Sequence, residues 1–331
     1  MRSSACQTSS PVVTALGHGV YTIDTGFIRP GLVASHLLVE QGQAIFIDVG
    51  AATALPVLLA ALDYLDIKPE QVVAVMVTHV HLDHAGCAGV LMEQLPNAKL
   101  FVHPRGARHM IDPSKLVAGA TAVYGETVMR ERFGEIRAVP AERVVEVDEV
   151  FRFRLGKGDN IREFQFIFTP GHAKHHYCVY DSLSRGIFTG DSFGLSYRDL
   201  DTSKGPFIIP TTTPVQFDPQ ASHDSIKKLL KLKPSCMYLT HFGRLENPAM
   251  LGFLLHRQID LFVEQVKAVC RFQAETQFEA LKLQLEKLLK AQLYEHGCRL
   301  SDKRFREILD MDIELNAQGL LCWLQQSDIA H

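Results

Sequence analysis

Several apolar runs along the chain stop at polar clusters that carry histidine or aspartate. Val72-Val73-Ala74-Val75-Met76-Val77-Thr78 reads as a buried strand, and it stops at His79-Val80-His81-Leu82-Asp83-His84. Phe164–Phe168 runs into Thr169-Pro170-Gly171-His172, Ile187-Phe188-Thr189 into Gly190-Asp191, Met237–Thr240 into His241, and Ala44–Ile47 into Asp48-Val49-Gly50. Alternating segments at Val20–Asp24, Val33–Glu40 and Ala44–Asp48, punctuated by Gly26, Pro30, Gly31 and Gly42, predict an antiparallel meander. A helix over 51–65, the strand ending at Thr78, a helix to about Gln94 and a strand over Lys99–His103 complete a first half. Residues 105–135 read as broken helix inserted near the polar clusters.

The second half repeats the rhythm. Strands are expected over Arg143–Val147, Val150–Leu155, Phe164–Thr169, Tyr177–Tyr180 and Gly186–Thr189, then a helix over Asp218–Leu232 and the strand Cys236–Thr240. Two sheet-rich halves, each closed by a helix and a strand, predict facing sheets with helices outside. After about Pro248 strand signals stop, and the spacing of Ile259, Phe262, Val266 and Val269, of Leu281, Leu285, Leu288 and Leu289, and of Phe305, Ile308 and Leu309 predicts helices. The expected organisation is a flexible tail over 1–14, a sheet-bearing domain over 15–247 and an all-helical appendage over 248–331. The appendage is expected to serve as a homodimer interface or a lid.

Composition narrows the class. The 331 residues are 47% hydrophobic and 21% charged, with net charge −3, enough for a large core. No basic run points to nucleic acid, and no apolar stretch is long enough for a membrane helix. The first ten residues lack the apolar segment of a signal peptide. Seven scattered cysteines without a Cys-x-x-Cys pair fit reduced thiols and a cytoplasmic location.

Four metal-capable side chains in six residues dominate the chemistry. In an extended segment His79, His81 and Asp83 share a side, and the turn into a helix brings His84 from another direction. That arrangement suits two neighbouring metals, with His79 and His81 on the first and Asp83 and His84 on the second. His172, presented by a tight Pro-Gly turn, is the natural third nitrogen for the first metal, leaving an open position as in catalytic zinc sites. Asp191 can bridge both cations, and His241 completes the second. Asp48 is expected to accept a hydrogen bond from a ligand histidine, and His176 to be a buried supporting group. His175 is expected to be exposed and Cys87 to be a small core residue.

These motifs together resemble the metallo-β-lactamase superfamily, over about residues 15–245. The resemblance implies a four-layer αβ/βα sandwich of the α/β (α+β) class, with a binuclear site at one edge. It assigns His79, His81 and His172 to one metal, Asp83, His84 and His241 to the other, and Asp191 to the bridge. Histidine at 81 argues against the flavodiiron type. The function expected is a dinuclear hydrolase of a small ester, lactone or thioester, using a metal-bridging hydroxide, with Asp83 orienting the nucleophile or shuttling its proton. Two divalent ions, most simply zinc, with iron or manganese as alternatives, are the cofactors. Iron-dependent oxygen or sulfur chemistry of the persulfide dioxygenase kind, or a signalling module with weak turnover, are the alternatives. Phe193, Tyr197 and Phe207, in the turn-rich stretch after Asp191, and Phe27 are expected as substrate contacts. No Arg/Lys cluster for a glutathione carboxylate is evident, which argues against a glyoxalase II assignment, and a moderately apolar pocket is expected.

Overall fold

The computed structural model describes residues 11–158 and 161–327. Strands β1 (Val13–Ala15), β2 (Val20–Asp24), β3 (Ala34–Glu40), β4 (Gln43–Ile47), β5 (Val72–Met76), β6 (Lys99–Val102) and β7 (Val144–Glu146) form a seven-stranded sheet in sequence order. The meander β1–β4 is antiparallel, and β4 through β7 run parallel. The second sheet has six strands in the order β13-β12-β11-β10-β9-β8. These are β8 (Arg152–Leu155), β9 (Arg162–Phe168), β10 (Tyr177–Asp181), β11 (Gly186–Gly190), β12 (Cys236–Leu239) and β13 (Gly243–Leu245).

Helices α1 (Leu55–Tyr64), α2 (Leu82–Ala85), α3 (Ala88–Gln94), α4 (Pro104–Ile111), α5 (Ser114–Tyr124) and α6 (Glu126–Val128) belong to the first half, and α7 (Pro219–Lys231) to the second. Three long helices follow: α8 (Pro248–Val269), α9 (Ala274–His296) and α10 (Asp302–Gln326). The apolar alternation of the strands sorts into three core layers. Ile45, Ile47 and Met76 face Phe164, Phe166, Tyr177 and Tyr238 between the sheets. On the outer face of the first sheet Phe46, Val75 and Leu100 pack on Leu58, Leu62 and Leu91. On the outer face of the second, Ile167, Ile187 and Met237 belong to one continuous core with Ile226, Phe262, Leu285 and Leu309. The result is the four-layer αβ/βα sandwich, with the long C-terminal helices inside its fourth layer.

Two expectations change. Val13–Ala15, placed in a tail over 1–14, pairs with β2. It is too short to announce itself by periodicity, and its edge position leaves it half exposed. Residues 1–10 of that tail lie outside the described residues. The turn-rich stretch after Asp191 was expected over the site, and its end does reach His172 through Thr211 and Thr213, but its first part runs inward beneath α10, and Phe193 and Tyr197 are fully buried.

One face of α10 makes that contact. Asp312, Leu315, Asn316 and Gly319 stand at the helical spacing that shares a side. The Tyr197 hydroxyl donates to Asp312 Oδ1 at 3.1 Å, with the Arg29 guanidinium 4.5 Å over the tyrosine ring. Asn316 Oδ1 accepts from the Thr212 amide at 2.6 Å and from its hydroxyl at 2.9 Å. A Cβ on Gly319 would lie 1.6 Å from the Thr212 carbonyl oxygen.

Glycine to alanine inside a helix ordinarily stabilises by about 1 kcal/mol; Gly319→Ala should instead destabilise by about 2 kcal/mol or more in denaturant unfolding, because the obstacle is backbone. Asp312 Oδ2 has no hydrogen-bond partner, and burial pushes the carboxyl from its ordinary 3.8 up to about 6, against His241, Tyr197 and Arg29, which favour ionisation. The folded chain therefore holds this proton more tightly, so stability falls as pH rises from the ordinary carboxyl range through 6, by about 3 kcal/mol. Asp312→Asn should stabilise the fold at pH 7.5 by about 1 kcal/mol once its unpartnered amide is counted, read as a raised melting temperature, with the gain vanishing toward pH 4.

Candidate metal centre

The strand ends converge at one edge of the sandwich. After β5 the chain bends at Thr78 and His79 and reaches His81, whose carbonyl accepts from the His84 amide at 3.0 Å as α2 begins. His79 and His84 are fully buried, while His81 and Asp83 are half-buried on the open side. His172 follows β9, Asp191 follows β11 and His241 follows β12, all buried. Gly190, at φ +48°, passes so close that a Cβ would lie 2.4 Å from Thr78 Oγ1 and 2.7 Å from His176 Nε2. Glycine there lets the Asp191 strand reach the centre.

Donor atoms form adjoining groups. His79, His81 and His172 gather within 4.8 Å, as do His79, His84 and Asp191, and Asp83, His84 and His241. His81 Nδ1 lies 2.9 Å from His79 Nε2 and 3.1 Å from His172 Nε2. Asp191 spans the groups. Its Oδ2 is 3.4 Å from His172 Nε2, and its Oδ1 is 3.1 Å from His84 Nε2 and 3.5 Å from His241 Nε2. Asp83 Oδ2 is 3.3 Å from His241 Nε2 and 3.6 Å from His84 Nε2.

The other ring nitrogens are already engaged. His84 Nδ1 lies 2.8 Å from Asp48 Oδ2, and His241 Nδ1 2.8 Å from the Leu32 carbonyl. His172 Nδ1 is 3.3 Å from both the Thr211 carbonyl and Thr213 Oγ1. Thr78 Oγ1 donates to Asp48 and so accepts from His79 Nδ1 at 3.1 Å. In the neutral ring each contact fixes the tautomer whose bare nitrogen faces the centre. His176 Nε2 accepts from the Asp191 amide at 3.2 Å, while its Nδ1 meets Thr169 and Ser192 hydroxyls.

These residues fit metal ions. His84 Nε2 and Asp191 Oδ1 are buried and lack hydrogen-bond partners, although they face each other. A histidine- and carboxylate-rich set of this kind suits zinc, and also iron or manganese. The electrostatics differ between the two groups of donors. Burial, then the rings of His84, His81, His176 and His172, holds His79 well below the usual histidine range. Burial also lowers His84 and His241, but the carboxylates outweigh it. Asp191, Asp83 and Asp48 hold His84 well above its usual range, and Asp191 and Asp83 carry His241 up to about 9. Burial would raise Asp83 and Asp191, yet the adjoining histidines hold both below the usual carboxylate range.

Above the centre opens a cavity of about 770 Å³, floored by His81, Asp83 and Asp191. Its apolar wall comes from α5 and its surroundings, with Leu116, Val123, Tyr124 and Phe133. Burial and the Asp83 charge keep the Tyr124 phenol above its ordinary range, hence protonated. Arg105, Arg108, Lys115 and Lys174 stand on its exposed side.

The structure thus brings together His79, His81, Asp83, His84, His172, Asp191 and His241, with Asp48 and His176 behind them. It does not bring the expected aromatics to the cavity wall. Phe193 and Tyr197 lie in the core under α10, Phe207 is buried with its ring 5.3 Å from that of His296, and Phe27 packs at 5.2 Å behind Phe133. His175, expected to be exposed, is buried and its ring lies 5.7 Å from that of His81. The absence of an Arg/Lys cluster is also corrected. Four cations meet at the cavity although they are spread over 105–174, and only the i,i+3 spacing of Arg105 and Arg108 hinted at a shared face.

The metallo-beta-lactamase superfamily description matches residues 28–241. A metallo-beta-lactamase fold-containing protein of Sulfurisphaera tokodaii is 29% identical over 230 residues, covering 68% of this chain and 78% of that protein. The solved archaeal metallo-beta-lactamase superfamily protein from Sulfolobus tokodaii superposes with a TM-score of 0.63 at 22% identity, over 94% of this chain and 99% of that one. A metallo-beta-lactamase family protein from Thermus thermophilus gives 0.63 at 19% identity, over 94% and 95%. With the family match spanning more than half its length, the chain belongs to the metallo-β-lactamase superfamily.

Proposed function

We propose that the chain is a dinuclear metal-dependent hydrolase of small ester, lactone or thioester substrates. Members of its superfamily are generally metal-dependent hydrolases. The observation that carries the finer reading is Asp191, which turns one oxygen to each of two histidine groups beneath a cavity. His79, His81 and His172 would hold one ion and Asp83, His84 and His241 the other, with Asp191 between. Bound there, two divalent ions, zinc in our reading, supply an acidified water and polarise a carbonyl.

The side chains do the rest. Asp83, half-buried on the cavity floor and kept ionised by His84 and His241 against the effect of burial, orients water through its carboxylate and takes its proton. That proton then goes to the departing alcohol or thiol as the acyl bond breaks. Tyr124, protonated and in the wall, offers a hydroxyl donor to the substrate. No helix of the described residues is long and apolar enough to cross a membrane. The free cysteines Cys87, Cys178 and Cys236 support a reducing, cytoplasmic setting.

Elemental analysis of protein purified without chelator should find about two zinc per chain, with turnover of an ester, lactone and thioester panel. Iron without hydrolysis would overturn the reading. His79→Ala should lower the metal content and abolish turnover; unchanged metal content would remove His79 from the ligand set. Asp48→Asn places an amide nitrogen among the hydrogen-bond donors Thr78, His84 and Thr240 and should weaken metal affinity about 10- to 100-fold, measured by chelator competition. Retained affinity would mean that Asp48 does not set the His84 tautomer.

A further inference from the structure

The cations at the cavity lack an internal explanation. Arg105 and Arg108 share a face of α4, Lys115 opens the first turn of α5, and Lys174 lies two residues beyond His172. All four are exposed and line one cavity, in a chain whose net charge is −3. Among the described residues none of them is in a salt bridge. Arg108 Nε donates instead to His109 Nε2 at 3.3 Å, so that ring is neutral. Burial, Arg108 and Lys115 together hold His109 below its usual range, as a positive field should. The carboxylates that line the cavity, Asp83 and Asp191, are engaged by His84 and His241 at its floor.

The Asp112 carboxylate feels the charge of Lys115, but like charges gathered without a salt-bridged counter-ion repel one another and are stabilised by an anionic ligand. The apolar wall of Leu116, Val123 and Tyr124 belongs to the same cavity, whose volume is in the range for small-molecule sites. We propose that the substrate bears a fixed oxyanion, carboxylate or phosphate, received by Arg105, Arg108, Lys115 and Lys174 while its scissile acyl bond lies over Asp83 and Asp191. An apolar stretch joins the two ends against the α5 wall. The assignment deepens the hydrolase reading and rests on it for the scissile bond, but the anion site itself is separable.

The test compares matched 4-nitrophenyl esters on metal-loaded protein: the glutarate half-ester, its phosphate-ended counterpart and neutral butyrate. Wild type should prefer an anionic ester by about tenfold or more in kcat/KM. The preference should shrink as salt rises from about 50 mM to 500 mM and fall to near one in Arg105→Gln/Arg108→Gln/Lys115→Gln, metal content being checked in parallel. Lys115→Arg should keep it. Whichever anionic ester is preferred identifies the oxyanion. A wild-type ratio near one with turnover of both kinds of ester overturns anion selection and leaves the hydrolase intact. A ratio undiminished in the triple variant removes these residues from the site. If no ester turns over, the hydrolase reading fails, and calorimetry with 4-phenylbutyrate against neutral 4-phenylbutyramide decides the anion site. Tighter carboxylate binding that the triple variant loses supports it, and equal binding in both proteins overturns it.

Discussion

The buried carboxylate of Asp48 is the constraint on which the centre depends. It sits at the end of β4 with φ +49°, a left-handed conformation uncommon outside glycine but tolerated by aspartate. From there Oδ1 accepts the Thr78 amide at 2.8 Å, and Oδ2 accepts His84 Nδ1 at 2.8 Å and Thr240 Oγ1 at 2.6 Å. These donors come from the end of β5, from α2 and from the end of β12, so one side chain ties the two sheets together at the edge where their strands stop. A buried charge is tolerable only when fully hydrogen-bonded, and this one is. The same bonds orient His84 directly and His79 through Thr78.

What Asp48 supports on one side is frustrated on the other. Three imidazole nitrogens meet within about 3 Å at His81, and an orphaned histidine nitrogen faces an orphaned carboxylate oxygen at His84 and Asp191. The facing imidazoles repel one another, whereas His84 and Asp191 attract at 3.1 Å, and a cation among them would be held by both kinds of donor.

Much of this was legible in the sequence because it is local. A buried strand needs a run of apolar residues, a site at its end needs a polar residue where the run stops, and both lie within ten positions, as at Val72–His84. The strand ends at His172, Asp191 and His241 were readable on the same ground. The cavity was not. Arg105, Lys115 and Lys174 come together only through the packing of α4, α5 and a loop of the second sheet, and each alone reads as an ordinary exposed charge. Phe193 and Tyr197 failed for the opposite reason. Their turn-rich context resembles a surface loop, and nothing within that stretch announces that α10, more than a hundred residues later, covers it.

That covering ties the C-terminal helices to the candidate metal centre. Asn316 holds both the amide and hydroxyl of Thr212, and the neighbouring Thr211 carbonyl and Thr213 hydroxyl meet His172 Nδ1. Thr211 Oγ1 in turn donates to the Asp191 carbonyl at 2.8 Å. A three-residue strap therefore runs between α10 and two residues of the centre. The close approach at Gly319 shows why: with any side chain there, the helix would stand away from the strap, and His172 would lose the contacts that fix its tautomer. Leu315, on the same helical face, lines the cavity. The helices thus act as the fourth layer of the sandwich and as the wall that holds one edge of the metal centre in place.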